Sequence, residues 1–337
     1  MTLLFMDGFD HYATADQGKK WTLVTGNTIN AAAGRRGGGA GSFAAVTGYF
    51  RKDLGVQMAT AIAGFAMKYA SVTGSNNYFF NFFDTVGGNA QLYLRLNTST
   101  NKIELVKPGG SLLGTSANAL PTDVFNYIEI KATIHPSAGS VIVKVNGNTE
   151  INISGANTRS TANSWVDSVM LGDNGGSLSG TVDDFYICDT VGSIANDFLG
   201  DIRIDTLYPT SDGANQAWTP SSGTTHYTLV DDPTPNTTDY VSSDVVGAKD
   251  TYGMSDITHT PSAIFGAQVC VASLKNDAGA RSMKVVTRSG GSDYSGPATS
   301  LSTSQNYVLR LHEADPATSA AWTKTNLNAA EFGAEVA

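Results

Sequence analysis

Trp165-Val-Asp-Ser-Val-Met-Leu-Gly-Asp-Asn-Gly-Gly-Ser-Leu-Ser-Gly-Thr-Val-Asp-Asp-Phe-Tyr-Ile-Cys-Asp189 contains two apolar runs, Val166–Leu171 and Thr181–Cys188, joined by a Gly/Asn/Ser connection that reads as a turn or surface loop. In the second run Val182 is out of phase with Phe185 and Ile187 on a period of two. Either both faces of this strand are covered, or Asp183-Asp184 is a bulge that shifts the register.

Alternation continues outward from this stretch. Ile128, Ile130 and Ile134 share one face, with Tyr127, Glu129 and Lys131 opposite, and Val141, Val143 and Val145 precede Ile151 and Ile153. A two-residue turn at Asn146-Gly147 sets Val145 against Asn148. Pairing Val143 with Ile151 instead predicts a three-residue loop, Asn146–Asn148, with Asn148 in the left-handed conformation. Leu92, Leu94 and Leu96 oppose Tyr93 and Arg95, and Ile103 and Leu105 resume the pattern after a polar tip at Asn97–Asn101, which predicts a hairpin. Tyr78–Phe83 is apolar on both faces, as a central strand requires, and Met58–Tyr69, whose alanine content also allows a helix, reads as a strand because Ala59, Ala61, Ala63, Phe65, Met67 and Tyr69 recur on a period of two. Leu3–Met6 is a short opening strand, and residues Gly34–Ser42 a Gly-rich loop.

The 337 residues carry 15% charged side chains and 36 glycines, a mix suited to short strands and many turns, and the fold class is all-β. The net charge of −9 argues against nucleic acid as a partner. Arg35-Arg36, within the Gly-rich loop, is read as a solvated turn. Cys188 and Cys270 sit in apolar runs and are expected to be buried thiols, too few for a disulfide framework and without zinc spacing. Met1–Asp7 has no basic segment ahead of its short apolar run, so a signal peptide is not expected. Membrane insertion is not expected either, since no uncharged apolar run reaches spanning length.

A boundary is expected near Phe198–Gly200, giving residues 1–199 and 200–337 as two modules. The second holds a long polar stretch, Thr210–Ser243, and then strand signals at Ile264–Leu274, Ser282–Arg288 and Tyr307–His312. The final apolar positions after Trp322 are placed to close its sheet.

The Gly180-Thr-Val-Asp-Asp-Phe-Tyr-Ile strand, together with Asn126-Tyr-Ile-Glu-Ile and Val141-Ile-Val-Lys-Val-Asn-Gly-Asn, resembles the closing strands of laminin-G-like, concanavalin-A-type jelly rolls. That resemblance implies an antiparallel jelly-roll sandwich followed by a second, smaller β-sandwich module. Phe5-Met-Asp-Gly-Phe-Asp-His-Tyr, Thr206-Leu-Tyr-Pro-Thr-Ser-Asp-Gly, Trp218-Thr-Pro-Ser-Ser-Gly, Asp239-Tyr-Val-Ser-Ser and Leu327-Asn-Ala-Ala-Glu-Phe-Gly resemble tailed-bacteriophage structural proteins. This second resemblance implies a non-enzymatic virion component of the tail tip, baseplate or fibre, whose partners are other virion proteins. It also implies a homo-oligomer, taken as a trimer, with a host-surface glycan as a further partner. A head decoration or spike protein, and a carbohydrate-binding lectin module or polysaccharide depolymerase, are the alternatives.

Catalysis finds little footing in the sequence. Glycoside hydrolysis needs two carboxylates flanking the scissile bond, yet the six glutamates form no Glu-x-Asp-x-x-Glu pattern. Asp183 and Asp184, being adjacent, point to opposite faces of a regular strand and are read as carboxylates bonding nearby turn amides. Asp7, Asp10 and His11 are read as turn-capping carboxylates beside a surface histidine rather than metal ligands. Gly172–Gly180 lacks the Lys-Ser/Thr ending of a phosphate-cradling loop. Trp218, Tyr227, Tyr240 and Tyr252 are the candidate ligand-binding residues, as loop aromatics of the second module, each weighed against a core or subunit-contact role. No cofactor is implied; binding modules of this kind sometimes hold calcium through Asp and backbone oxygens.

Overall fold

The computed structural model describes residues 3–43, 48–74, 77–85, 88–173 and 177–337. The middle of the Gly172–Gly180 connection, residues 174–176, and Met1 and Thr2 therefore lie outside the described residues. The chain forms two compact units, Met1–Ile204 and Asp205–Ala337.

In the first unit two antiparallel sheets enclose one core. The seven-stranded sheet runs, in order, Leu112–Ala119, Lys102–Val106, Ala90–Leu96, Tyr78–Phe83, Val166–Asp173, Gly48–Met58 and Leu23–Thr25. The eight-stranded sheet runs Asn148–Ala156, Gly139–Val145, Asn126–Thr133, Thr60–Thr73, Ser177–Cys188, Ala40–Phe43 and Asn27–Asn30, with Leu3–Asp7 also on Ser177–Cys188. The two runs of the opening stretch thus lie in opposite sheets. Between them Phe65 stacks on Phe80 at 5.3 Å, and Trp21 meets Phe185 at 5.6 Å. The jelly-roll sandwich expected from the sequence is the fold observed.

Both alternatives offered for Val182 hold. Val182, Phe185, Tyr186 and Ile187 are all buried, and the ladder to Thr60–Thr73 shifts register between Asp183 and Tyr186. Asp184 sits at φ 50°, in the left-handed region that a bulge demands of one residue. On its other edge the strand pairs with Ala40–Phe43 through Gly180–Val182, then with Leu3–Asp7 from Phe185 onward. The two aspartates occupy the gap between those partners. Their carboxylates take the place of a strand: Asp183 accepts from the amides of Arg35 (2.7 Å) and Asp184 (2.7 Å), and Asp184 from the amide of Ile204 (2.7 Å). Burial and the neighbouring Asp184 push Asp183 up to about 7.

This arrangement corrects the reading of Arg35 as a solvated turn residue. Its side chain is only 10% exposed, pairs with Asp184 at 3.0 Å and Asp201 at 2.6 Å, and lies over the Tyr127 ring at 5.0 Å. Arg36 does remain exposed. The outer face of the eight-stranded sheet is covered here by the chain's own residues. Tyr186 donates to Glu129 at 2.7 Å, and the amides of Leu199 and Gly200 donate to Tyr186 and Glu129. Tyr127 and Glu129 are accordingly buried although they oppose the isoleucines. Gly64, across from Tyr186, leaves room for that ring, since a Cβ there stands 2.2 Å from it.

The Asn146 turn divides the sequence expectation. Val143 does pair with Ile151, as predicted, but the loop is the two-residue one, with Val145 opposite Asn148. Asn146 and Gly147 take φ 50° and 82°, a type I′ pattern, and a register shift between Val143 and Lys144 restores the Val143–Ile151 pairing. The left-handed residue is Asn146 rather than Asn148.

In the second unit a six-stranded sheet, Pro209–Gln216, Lys249–Met254, Glu331–Val336, Ser282–Ser289 and Ser292–Ser295 with Thr299–Ser300, stands beside a two-stranded antiparallel sheet of Ala267–Ser273 and Asn306–His312. Met283, Val285 and Ala334 of the sheet pack with Val308, Val269 and Val271 of the two-stranded layer. The terminal apolar positions become a central strand, Glu331–Val336, flanked by Lys249–Met254 and Ser282–Ser289. Cys188 is buried as expected; Cys270 is only half-buried, because it lies in this two-stranded layer.

Candidate functional site

The four loop aromatics of the second unit do not form one exposed surface. Tyr252 is buried and donates to Asp250 at 2.8 Å, which overturns it as a ligand-binding candidate. Trp218 packs against the Met283–Val308 cluster, with Nε1 donating to the Ala248 carbonyl at 3.0 Å. Asp250 also accepts from the Trp218 amide and lies 2.7 Å from Nδ1 of buried His226. Tyr227 is half-buried, its amide held by Asp212 at 2.6 Å. Trp218, Tyr252 and the His226-Tyr227 turn therefore converge on the carboxylates of Asp250 and Asp212 as supports of the long polar segment. Tyr240 alone is exposed.

The Asp7–Tyr12 turn is more buried than its sequence implies. Asp7 accepts from the Phe9 amide, as a capping carboxylate does, but also from Lys20 at 2.9 Å, Trp21 at 2.7 Å and Tyr12 at 2.6 Å. His11 is not a surface histidine: burial, with added repulsion from Lys20, holds its imidazole down to about 3. Among the described residues no group of three or more His, Cys, Asp or Glu is arranged to hold a metal ion.

The outward side of the seven-stranded sheet carries a different kind of arrangement. Phe80 and Phe82 face the core and meet at 4.8 Å, so Asn81 between them faces away from it. Asn81 is directly paired with Met170 on one side and Tyr93 on the other, and Met170 with Arg51. These four side chains form a row across adjacent strands, about 14 Å from end to end at the usual strand spacing. Tyr78 stacks on Tyr93 at 4.6 Å with the rings inclined by 36°. In the neighbouring positions Arg95 pairs with Glu104 at 2.7 Å, and Arg51 with Asp53 at 3.1 Å.

Asn81 is 0% exposed, recessed between longer neighbours, and neither amide atom has a hydrogen-bond partner. A buried amide without partners costs free energy that a fold normally avoids. One Asp167 carboxylate oxygen is likewise buried without a hydrogen-bond partner, whereas the Arg51 Nε lies 3.1 Å from Asp53. Asp167 lines a half-open hollow of about 450 Å³ with Gly55, Val56 and Gln57. Burial, then Asp84 and Asp53, raise its carboxyl above the usual range. Asp84 is committed to Thr161 and Asn163, and Asp53 to Ser168 and Arg51. The loop bordering this region is anchored by Gln91, which bonds Ser160, Thr161 and Asn163, and Trp165 donates to the Asp84 carbonyl at 2.9 Å. Sequence reasoning missed this row because its members come from separate strands. The available signal was one asparagine inside the aromatic run Tyr78–Phe83.

No family model matches this chain, and no curated protein does. Among solved structures it is similar to domain 4 of AbnA, an extracellular arabinanase from Geobacillus stearothermophilus in complex with arabinotriose, at 20% identity, TM-score 0.40, covering 56% of this chain and 92% of that one. It is similar to a cellulose-induced protein at 15% identity, TM-score 0.38, over 48% of this chain and 86% of that one. A carbohydrate esterase from the Shiga toxin-encoding bacteriophage phi24B is 13% identical at TM-score 0.36, over 55% of this chain and 99% of that chain.

Proposed function

We propose that this chain is a non-enzymatic structural protein of a tailed-phage virion whose first unit binds a glycan on the outward side of its seven-stranded sheet. The resemblance in sequence to phage structural proteins supplies the setting. The observation that carries the binding reading is the row Arg51–Met170–Asn81–Tyr93, in which a stacked tyrosine pair adjoins a recessed amide with no partner of its own. An aromatic face takes the apolar side of a sugar ring, and an amide with one acceptor and two donor hydrogens suits its hydroxyls. Non-enzymatic action fits the acids present: Asp53 and Asp84 are tied to fixed partners, leaving Asp167 without a second free carboxylate to complete an acid–base pair.

The test is direct binding of host-surface oligosaccharides to the full chain, compared with Tyr93→Ala. Loss of the stacking ring is expected to weaken binding about tenfold, the equivalent of an aromatic contact worth about 1.4 kcal/mol. Equal affinity in wild type and variant places any glycan elsewhere. A second reading, assembly with sister molecules or neighbouring virion proteins, is favoured by Val245 and Val246, which are 63% and 76% exposed, and by exposed Tyr240. Val246→Asp is expected to block that association in particles or in solution without changing glycan affinity.

A further inference from the structure

We propose that Lys107 and Arg159 form an anion subsite beside the glycan face, taking a carboxylate or sulfate carried by the sugar; the proposal rests on the glycan reading above and names its ligand class. In a chain of net charge −9 a cation is readily matched, and Arg35, Arg51, Arg95, Lys131, Lys249 and Arg288 each meet a carboxylate. Lys107 and Arg159 do not. Among the described residues, Lys107 Nζ donates to the Asn157 carbonyl and Arg159 Nη1 to the Ala162 carbonyl, both at 3.3 Å, and neither side chain forms an ion pair. The Nε and Nη2 edge of Arg159 is thereby left open, and its two parallel donors match two oxygens of a carboxylate or sulfate.

Asn157 joins the two cations. Its carbonyl takes Lys107 Nζ, and its side chain accepts from the Arg159 amide at 3.1 Å. Both backbones are fixed before a ligand arrives. Lys107 closes the tip between Lys102–Val106 and Leu112–Ala119, donating its amide to Ser111 at 2.9 Å and accepting from Gly110 at 3.0 Å. On either side of Arg159, Thr158 donates to the Thr133 carbonyl at 2.7 Å and the Ser160 amide to Gln91 at 2.7 Å. Burial, with added repulsion from Arg159, holds the Lys107 ammonium below its usual range. Two like charges held close on fixed loops cost free energy that a bound anion offsets.

The pair adjoins the tyrosine end of the row. Val106, next to Lys107, is the ladder partner of Tyr93. Gln91, which anchors the Arg159 loop, lies two residues before Tyr93, about 7 Å along the strand. The neighbouring carboxylates are engaged elsewhere: Glu104 with Arg95 and Asn97, Asp84 with Thr161 and Asn163.

The experiment titrates the full chain with tetragalacturonate and its methyl ester, which keeps the sugars and removes the charge. A sulfated galactose tetrasaccharide and its desulfated form make the second arm, both at low and at high sodium chloride. At least one charged probe is expected to bind about tenfold more tightly than its uncharged counterpart, and high salt is expected to remove that preference. The arm with the larger preference identifies the substituent as carboxylate or sulfate. Arg159→Gln and Lys107→Gln are each expected to reduce the preference severalfold and to leave the uncharged counterpart binding as in wild type. Uncharged probes that bind as tightly as charged ones, or a preference that survives in both variants, overturn the subsite while leaving the face as a glycan site. Failure of every probe overturns the glycan reading and the subsite with it.

Discussion

Replacing Asn81 by leucine is expected to stabilise the first unit and to abolish ligand binding at the same time. The side chain is fully buried between Met170 and Tyr93, and both its amide atoms lack partners. Each such atom costs about 1–3 kcal/mol relative to a satisfied one, whereas leucine has nearly the same volume and buries only carbon. Allowing for imperfect fit of the branched side chain among close neighbours, the net gain is about 2 kcal/mol. Hydrogen exchange in the full chain reads this locally. Amides of Tyr78–Phe83 and of its partner strand Val166–Asp173 are expected to exchange about thirtyfold more slowly, the factor equivalent to 2 kcal/mol. The same variant is expected to lose glycan binding. Faster exchange in Asn81→Leu shows that the amide already meets its bonding needs, and the argument for a site built around it fails.

His312 supplies a pH dependence. Burial and Arg310 hold its imidazole down to about 4, while Thr287 lies 2.8 Å from Nε2. A lowered histidine pKa means that the unfolded chain takes the proton first, so stability is intact above about 6.5 and falls by about 3 kcal/mol as pH drops to 4. Histidine NMR and denaturation of wild type against His312→Gln check this, the variant losing that slope. Arg35→Met leaves Asp184 and Asp201 without their guanidinium and is expected to cost about 3 kcal/mol in denaturation, whereas a cost near zero restores the solvated-turn reading. Gly147→Ala, at φ 82°, is expected to cost about 1 kcal/mol through strain in the type I′ turn, measured by the same melt.

Much of the first unit is legible from the period of two because one face of each strand enters a common core. The bulge at Asp183-Asp184 is visible in the phase of Val182 against Phe185. What the phase does not contain is the partner. Arg35 lies 149 positions from the carboxylate that buries it, and a Gly-rich neighbourhood reads as exposed until that partner is placed. The Asn146 turn failed for a related reason: a bulge within the following strand corrects the register after a two-residue turn, and alternation alone assigns that correction to the loop. Tyr252 failed as a binding residue because aromatic type says nothing about which side of a sheet it occupies. Its neighbour in the ladder, Phe332, belongs to a buried cluster, and its hydroxyl is already held by Asp250.

A buried asparagine with neither amide atom partnered occurs in both sheets of the first unit, Asn81 in one and Asn27 on the end strand of the other, and what sets the row on the seven-stranded sheet apart is the tyrosine pair beside its amide. On the eight-stranded sheet, Tyr127, Glu129, Tyr186 and both bulge aspartates are buried polar groups, and each is matched by a named partner: Arg35, the Leu199 and Gly200 amides, or the Ile204 amide. The chain supplies its own cover there, and the cost of burying those groups is offset within the fold. Across the row Arg51–Met170–Asn81–Tyr93 the ionic groups are closed in the same manner, but the central amide is not. An aliphatic residue at position 81 would suit the aromatic run around it at no cost in hydrogen bonding. An amide there without a partner weakens the isolated protein, which is why the glycan reading proposed above centres on this position.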